Sequence, residues 1–339
     1  MFLIRPIHEK DLDAYEEFAK KSSLGLINLP KNRELLKEKI IASQRAFDAP
    51  IEKPDLENYI FVLEDMHTGE LGGTCGICSR MGVTEPNYYY RLAFTKNEYT
   101  QKDMQILASV NYPIGPTEIF ALYLKAEFRK EGLGQLLSLC RFLFIANHRQ
   151  RFEAYVAAEM RGYIKDDDHV PFWENIGRKF LDISYAELCE MEIESRAFIP
   201  SLLPKWPLYT ALLPKEAQEC IGKTHDKTVP ALKMLNEEGF AFTGEIDPFD
   251  GGPKIGCKTD DIATIKNSST AIVDAINQAL DNSRSFIISN TNIDFRACYG
   301  NVIILKPGLA SIPAALAHAL KVGLGDEIRF VKINSTKES

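Results

Sequence analysis

The stretch from residue 119 to residue 160 constrains the fold most. Ile119-Phe-Ala-Leu-Tyr-Leu124 has the character of a buried strand. It runs into Lys125-Ala-Glu-Phe-Arg-Lys-Glu-Gly-Leu-Gly134. A long helix follows from Gln135 to about His148, with Leu136, Leu137, Cys140 and Phe144 on one face. Residues 154–160 are the next strand, and Pro171-Phe-Trp-Glu-Asn-Ile-Gly177 is a short helix. Strands alternating with helices in this way imply an α/β layered sheet with flanking helices.

The first third reads as strand, helix, helix, strand, strand. Residues 2–5 are a short apolar start ended by Pro6. Leu12, Tyr15, Phe18 and Ala19 recur at helical spacing, and Leu35, Leu36, Ile40, Ile41 and Phe47 do so in a second helix. Residues 59–63 and 71–79, joined by the polar turn His67-Thr-Gly-Glu70, form a hairpin pattern. Beyond Asp247 the character changes. Residues 258–284 are polar, with one weak helix expected around residues 272–280. Short strands at 285–289, 295–298, 302–305 and 327–333 follow, with a helix near 313–321. The division expected is a first unit of residues 1–257 and a small β-rich C-terminal module of residues 258–339, the latter without cofactor contacts. A length of 339 residues suits two domains, or one large domain with an appendage.

Charge and composition exclude several classes. Lys+Arg 40 against Asp+Glu 47 gives a net charge of −7, too acidic for a nucleic-acid reader, which needs a basic stripe. No run of about 18 apolar residues occurs, so no membrane span is expected. The N-terminus meets charge at Arg5 and has no signal-peptide core. Seven cysteines are too few and too scattered for a disulfide framework. The expected location is the cytoplasm.

The loop Arg129-Lys-Glu-Gly-Leu-Gly134 joins a strand to a helix, and that placement carries chemistry. Two glycines let a ligand approach the backbone, and the positive end of the following helix attracts an anion such as a pyrophosphate. The loop is neither a Walker A motif, which ends in GK[ST], nor a Rossmann fingerprint, which has a third glycine. A plain surface turn is the bland alternative.

Among the six histidines none has metal-ligand spacing, and no carboxylate or cysteine cluster completes a metal site. His67 and His148 read as solvated. Cys75-Gly-Ile-Cys78 lies in a strand, where positions three apart face opposite ways, so core packing is expected. The Asp166-Asp-Asp168 run suits a guanidinium but reads as a solvated loop. Glu159 and Arg161 flank Met160 at the end of the strand after the long helix, on the edge that faces the ligand crevice of an open α/β sheet. They are candidates for a substrate cation and a substrate carboxylate, and a mutual salt bridge explains them equally well.

Arg129-x-x-Gly132-x-Gly134 after a strand and before a long helix resembles the coenzyme A signature of the GNAT superfamily of acyl-CoA N-acyltransferases. The resemblance makes Arg129, Gly132, Leu133 and Gly134 the expected cofactor loop of a GNAT-like sheet. Five further stretches are similar to bacterial arginine N-succinyltransferase: Gly25-Leu-Ile-Asn-Leu-Pro30; Ala158-Glu-Met-Arg-Gly162; Pro171-Phe-Trp173; Ala197-Phe-Ile199 with Leu203-Pro-Lys205; and Phe249-Asp-Gly-Gly-Pro253. A sixth is Gly222-Lys-Thr-His-Asp226. The tail is similar too, with Gly323, Gly325 and Asp326 in a turn before a final strand.

That resemblance implies an enzyme of arginine catabolism that moves succinyl from succinyl-CoA, a cosubstrate rather than a permanently bound cofactor, to the α-amino group of L-arginine. It implies Leu122 as a succinyl-CoA contact, His225 as the proton donor, small-molecule partners only, and a homodimer. Departures from the family pattern are Phe120 and Ala121 for small polar residues, Pro200-Ser201 near a usual acidic position, and Trp206 for a histidine. The alternatives are an acyltransferase for ornithine or another amine, one using acetyl-CoA, or a CoA- or arginine-binding regulator without turnover.

Overall fold

The structure, a computed structural model, describes residues 1–22, 24–130, 132–277 and 284–333. The chain begins in the middle of its sheet. β1 (Phe2–Pro6) leads through α1 (Leu12–Lys21) and α2 (Arg33–Asp48) to the hairpin of β2 (Asn58–Asp65) and β3 (Leu71–Cys78). Asn32 starts α2, its side-chain oxygen accepting from the N–H groups of Glu34 at 3.0 Å and Leu35 at 3.1 Å. β4 (Asn87–Lys96) and β5 (Asp103–Tyr112) form a long hairpin. β6 (Thr117–Leu124) returns beside β3, and α3 (Leu133–Asn147) crosses over to β7 (Tyr155–Glu159).

The next segment holds α4 (Pro171–Asn175), α5 (Tyr185–Glu194), α6 (Ile199–Leu202), β8 (Leu208–Tyr209), α7 (Lys215–Gln218), α8 (Val229–Glu237), β9 (Ala241–Ile246) and β10 (Pro253–Lys258). The tail adds α9 (Ala263–Asn267), β11 (Ser269–Asn277), β12 (Phe286–Asn290), β13 (Ala297–Gly300), β14 (Ile303–Lys306), β15 (Leu309–Pro313), α10 (Ala314–Leu320) and β16 (Glu327–Lys332). All these strands join one mixed sheet, ordered β14-β15-β11-β16-β12-β13-β1-β2-β3-β6-β7-β10-β9-β4-β5-β8. The β6–β7 and β11–β15 pairs are parallel.

The central strands are buried on both faces, which is why β2 reads as one apolar run rather than an alternating one. Ile60 and Val62 pack under α1 and α2, while Tyr59, Phe61 and Leu63 pack under α3. α3 itself is buried nearly all round, Leu136 to Ile145 without a break, because the sheet covers one side and α8 and α9 the other. Tail residues complete that core: Phe295 is fully buried, its ring 5.5 Å from Phe61 and 5.3 Å from Phe144. β13 pairs with β1 through Leu3 and Cys298. A second cluster, under α10, belongs to the tail alone apart from Leu3 and Met66.

The elements of residues 2–78 and 117–177 match the expectation, as do most of the tail strands. Four features differ. The helix expected around 272–280 is strand β11 as far as Asn277, and 278–280 lie outside the described residues. Ala271 and Val273 are buried while Ile272 and Asp274 are exposed, so a two-residue period overrides the apolar spacing of four. The β4–β5 hairpin and strand β15 were not anticipated. His148 is half-buried against the Phe144 ring at 4.7 Å, and burial pushes its pKa down to about 4, whereas a solvated side chain was expected. No helix among the described residues is long and apolar enough to cross a membrane.

Because Phe295 closes the core beneath α3, Phe295→Ala should destabilise the whole chain by about 3–5 kcal/mol in urea or thermal unfolding. A loss below about 1 kcal/mol would mean that the tail lies loosely on that core.

Candidate active site

β6 and β7 are paired only through Thr117 with Val156 and Glu118 with Ala157, and then separate. Past that point β6 stays on β3 and β7 stays on β10, so a wedge opens between two adjacent parallel strands at their C-terminal ends. Within the wedge β6 carries a bulge. Thr74 faces Tyr123 and Gly76 faces Phe120, so Ala121 and Leu122 together stand opposite Cys75 alone. Ala121 takes φ of +49°, a left-handed conformation that costs energy in a residue with a side chain. The bulge takes one of these two residues out of the β3 ladder at the point where β7 has already parted. The Leu122 side chain packs into the α3 core, so only its backbone is offered to the wedge.

The glycine loop stands at the same end of β6. Gly132 starts α3 with φ of +73° and no side-chain cap. The helix's first i→i−4 bond is Leu136 N–H to the Gly132 carbonyl at 3.0 Å, so the N–H groups of Gly134 and Gln135 precede the ladder. Leu133 is fully buried and can serve a ligand only through its backbone. Arg129 is exposed, its Nε donating to the Leu124 carbonyl at 3.1 Å. The tail was not expected near a cofactor, yet Tyr299 on β13 donates its hydroxyl to the Gly132 carbonyl at 2.8 Å.

Beyond β7 the chain is held by an interlock. Asp250, 5% exposed, accepts from Gly162 N–H at 2.7 Å and Gly252 N–H at 2.8 Å. A Cβ on Gly162 would lie 2.3 Å from the Asp250 carbonyl oxygen, and one on Gly252 2.1 Å from the Met160 carbonyl oxygen. Two of the motif stretches thus need glycine because their backbones touch. Gly162 also bridges to Thr224, and His225 N–H donates to the Arg161 carbonyl at 2.9 Å. Arg161 and His225 are therefore brought together. The role of Asp250 was not anticipated; its only signal was its place in Phe249-Asp-Gly-Gly-Pro253.

Glu159 accepts from the Tyr89 hydroxyl. It makes no ion pair with Arg161, which removes the mutual salt bridge as an explanation. Arg161 lies half-buried against Gly25 and Tyr185, its Nε has no hydrogen-bond partner among the described residues, and burial holds its pKa below the ordinary arginine value. A half-buried guanidinium with no direct ion pair among the described residues suits an anionic ligand group. His225 is half-buried at the start of a 3₁₀ turn, and its Nδ1 accepts from Lys227 N–H at 3.0 Å. That bond places the ring hydrogen on Nε2 in the neutral form. Burial, then Arg161 and Lys227, lower its pKa below 6.5, so the ring is neutral near pH 7 and presents an Nε2–H donor.

The other expectations fall on the surface or in the core. Asp166, Asp167 and Asp168 form an exposed turn. Cys75 is buried with its Sγ 4.0 Å from that of Cys140, while Cys78 points elsewhere. Burial raises the Cys78 thiol to about 12, which makes it a poor nucleophile. No group of three His, Cys, Asp or Glu is placed to hold a metal among the described residues.

Gly134 offers the cleanest test of the loop, because a Cβ there would meet only Leu124, at 3.8 Å. Gly134→Val should leave the melting temperature nearly unchanged and weaken CoA binding at least ~10-fold in calorimetric titration. Gly132→Val should also lose stability, since its φ is positive and its Cβ would lie 3.0 Å from the Tyr299 hydroxyl. Unchanged CoA affinity in Gly134→Val would remove the loop from the site.

Comparison with known proteins gives consistent matches. The family described as arginine N-succinyltransferase beta subunit matches residues 2–264, and its C-terminal domain matches residues 269–332. An arginine N-succinyltransferase of Escherichia coli is 35% identical over 344 residues, and one of Salmonella paratyphi B is 36% identical over 343; each match covers 98% of both chains. The solved structure of arginine/ornithine succinyltransferase subunit AI from Pseudomonas aeruginosa superposes with a TM-score of 0.88 at 30% identity, covering 99% of both chains.

Proposed function

The chain belongs to the arginine N-succinyltransferase family, and from that premise we propose that it transfers succinyl from succinyl-CoA to the α-amino group of L-arginine. The observation that carries this reading is the parting of β6 from β7 in front of the glycine loop, which opens a slot for an acyl thioester beside the β6 bulge. In this reading the pyrophosphate of CoA rests on the N–H groups that open α3, between Gly132 and Gln135, with Arg129 beside them. Leu133 contributes its backbone alone. The thioester lies along β6, its carbonyl oxygen toward the Ala121–Leu122 bulge.

The reaction is direct attack of the amine on the thioester carbon. The nitrogen lone pair forms the N–C bond, and negative charge collects on the carbonyl oxygen. Backbone N–H groups at the bulge meet that charge without reorganising. Collapse breaks the C–S bond, nitrogen gives up one proton, and sulfur takes one. His225 serves the sulfur, donating through Nε2, while the amine's proton leaves to solvent. Arg161 receives a substrate carboxylate. A covalent route through cysteine is disfavoured by the raised thiol pKa at Cys78. The reading places the enzyme in the cytoplasm, where its seven free cysteines stay reduced, as a homodimer. A second reading, ornithine as acceptor, is favoured by the name of the Pseudomonas relative.

A thiol-release assay over acyl-CoAs and amino acids tests the function. Release with succinyl-CoA only when arginine is present supports it; binding without release would make the chain a regulator. His225→Ala should lower kcat by ~10²–10⁴-fold with succinyl-CoA affinity unchanged. A variant keeping more than about a third of wild-type kcat would remove His225 from the chemistry. The wild-type pH profile is a further check. The amine is mostly protonated near pH 7, so with a neutral Nε2–H donor kcat at saturation should rise about tenfold per unit between pH 6.5 and 7.5. An imidazolium donor would be lost at the same rate and leave the profile flat.

A further inference from the structure

A cavity of about 300 Å³ lies between α2, the end of β3 and the starts of β4 and β6, with Asn28, Lys39, Asn87, Glu118, Phe120 and Arg196 among its walls. Its polar groups are incompletely matched. Arg196 is engaged by Glu192 at 2.9 Å and by the Asn87 Oδ1 at 3.0 Å. Asn87, only 4% exposed, is left with an Nδ2 that has no partner among the described residues. Among the described residues the Glu118 side chain makes no hydrogen bond or ion pair, and Lys39 acts on it only through space. Burial and the neighbouring Glu159 charge raise the Glu118 pKa to about 8. A half-buried carboxylate that no cation among the described residues bonds directly, lying beside a second acid, favours a cationic guest.

The position along the strand matters equally. Glu118 is the last β6 residue paired to β7, and the bulge at Ala121 comes three residues later, about 10 Å on at strand spacing. In an extended arginine, six bonds of about 1.5 Å separate the α-amine from the guanidinium carbon. The substrate can therefore hold its amine at the bulge while its side chain runs back to Glu118.

We propose that Glu118 anchors the guanidinium of the acceptor amino acid in this cavity, an inference that rests on the transferase reading above. A carboxylate accepts two parallel N–H bonds from a guanidinium and one from an ammonium, so Glu118 also ranks arginine above ornithine. Arg196, Lys254 and Lys39 favour the charged form of Glu118 that a guanidinium pairs with. The unpaired Nδ2 of Asn87 marks the same wall as built for a polar guest.

The test compares arginine with citrulline, its neutral isostere, in wild type and Glu118→Gln. Glu118→Gln should raise the KM for arginine at least ~30-fold, because a charge-assisted bidentate pair is lost, with the KM for succinyl-CoA within about threefold. The arginine-to-citrulline ratio of kcat/KM should fall to near unity. A ratio retained in the variant, or equal losses on both amino acids, would overturn the assignment. Should Glu118→Gln not fold, Glu118→Ser removes the charge in a smaller volume and is judged by the same ratio. If wild type binds arginine but releases no thiol, the transferase reading falls, and Glu118 is judged by the arginine affinity of the variants alone.

Discussion

Everything at the candidate site depends on two strands that stop pairing. Parallel neighbours in a buried sheet normally continue their ladder, because an unpaired buried N–H or C=O is costly. Here β6 and β7 hold two residue pairs and then diverge, each kept in place by its other neighbour. The bulge at Ala121 and Leu122 turns β6 at the same point, and its positive φ is strain that the β3 pairing on either side sustains. A thioester placed in the wedge meets backbone donors that are already aimed.

Across the wedge, the Asp250 interlock does the equivalent work for side chains. Its two accepted N–H bonds fix Gly162 and Gly252, and so fix Arg161 and the bridge to Thr224 that carries His225. Asp250 has its pKa raised by burial yet accepts both N–H bonds, which favour its charged form. Its function is positional. A candidate acid at residue 225 and a candidate anion receptor at 161 are 64 positions apart in the chain and joined by one 2.9 Å backbone bond.

How much of this was legible in the sequence follows from the range of each signal. The strand, glycine loop and helix around residues 117–147 are set by local periodicity, and local reading recovers them within two residues. The β4–β5 hairpin escaped because its turn has no glycine or proline; Gln101 takes the left-handed position with φ of +56°, and Asn97 organises the turn by accepting from Tyr99 and Thr100. β11 escaped because apolar residues at 272 and 276 mimic a helix face although it is the alternate residues that are buried. Glu118 was invisible for a different reason. One acid inside an apolar strand carries no local signal, and its meaning comes from Asn87, Arg196 and Glu159, which reach it from β4, the segment after α5, and β7. The tail's contact with the glycine loop through Tyr299 is of the same long-range kind.

Arg161 and Glu118, neither in an ion pair among the described residues, are both penalised by desolvation in their charged forms. A carboxyl whose folded pKa is raised contributes its stability below the unfolded value near 4.5 and loses it as pH climbs toward about 8. The free protein is thus least comfortable with Glu118 at the pH where an amine becomes a nucleophile. A cation bound there reverses the penalty, and a carboxylate at Arg161 does the same for the buried guanidinium. Only a ligand carrying both charges compensates both groups. The same desolvation that weakens the empty fold therefore favours a zwitterionic amino acid with a cationic side chain over neutral amines that merely fit the space.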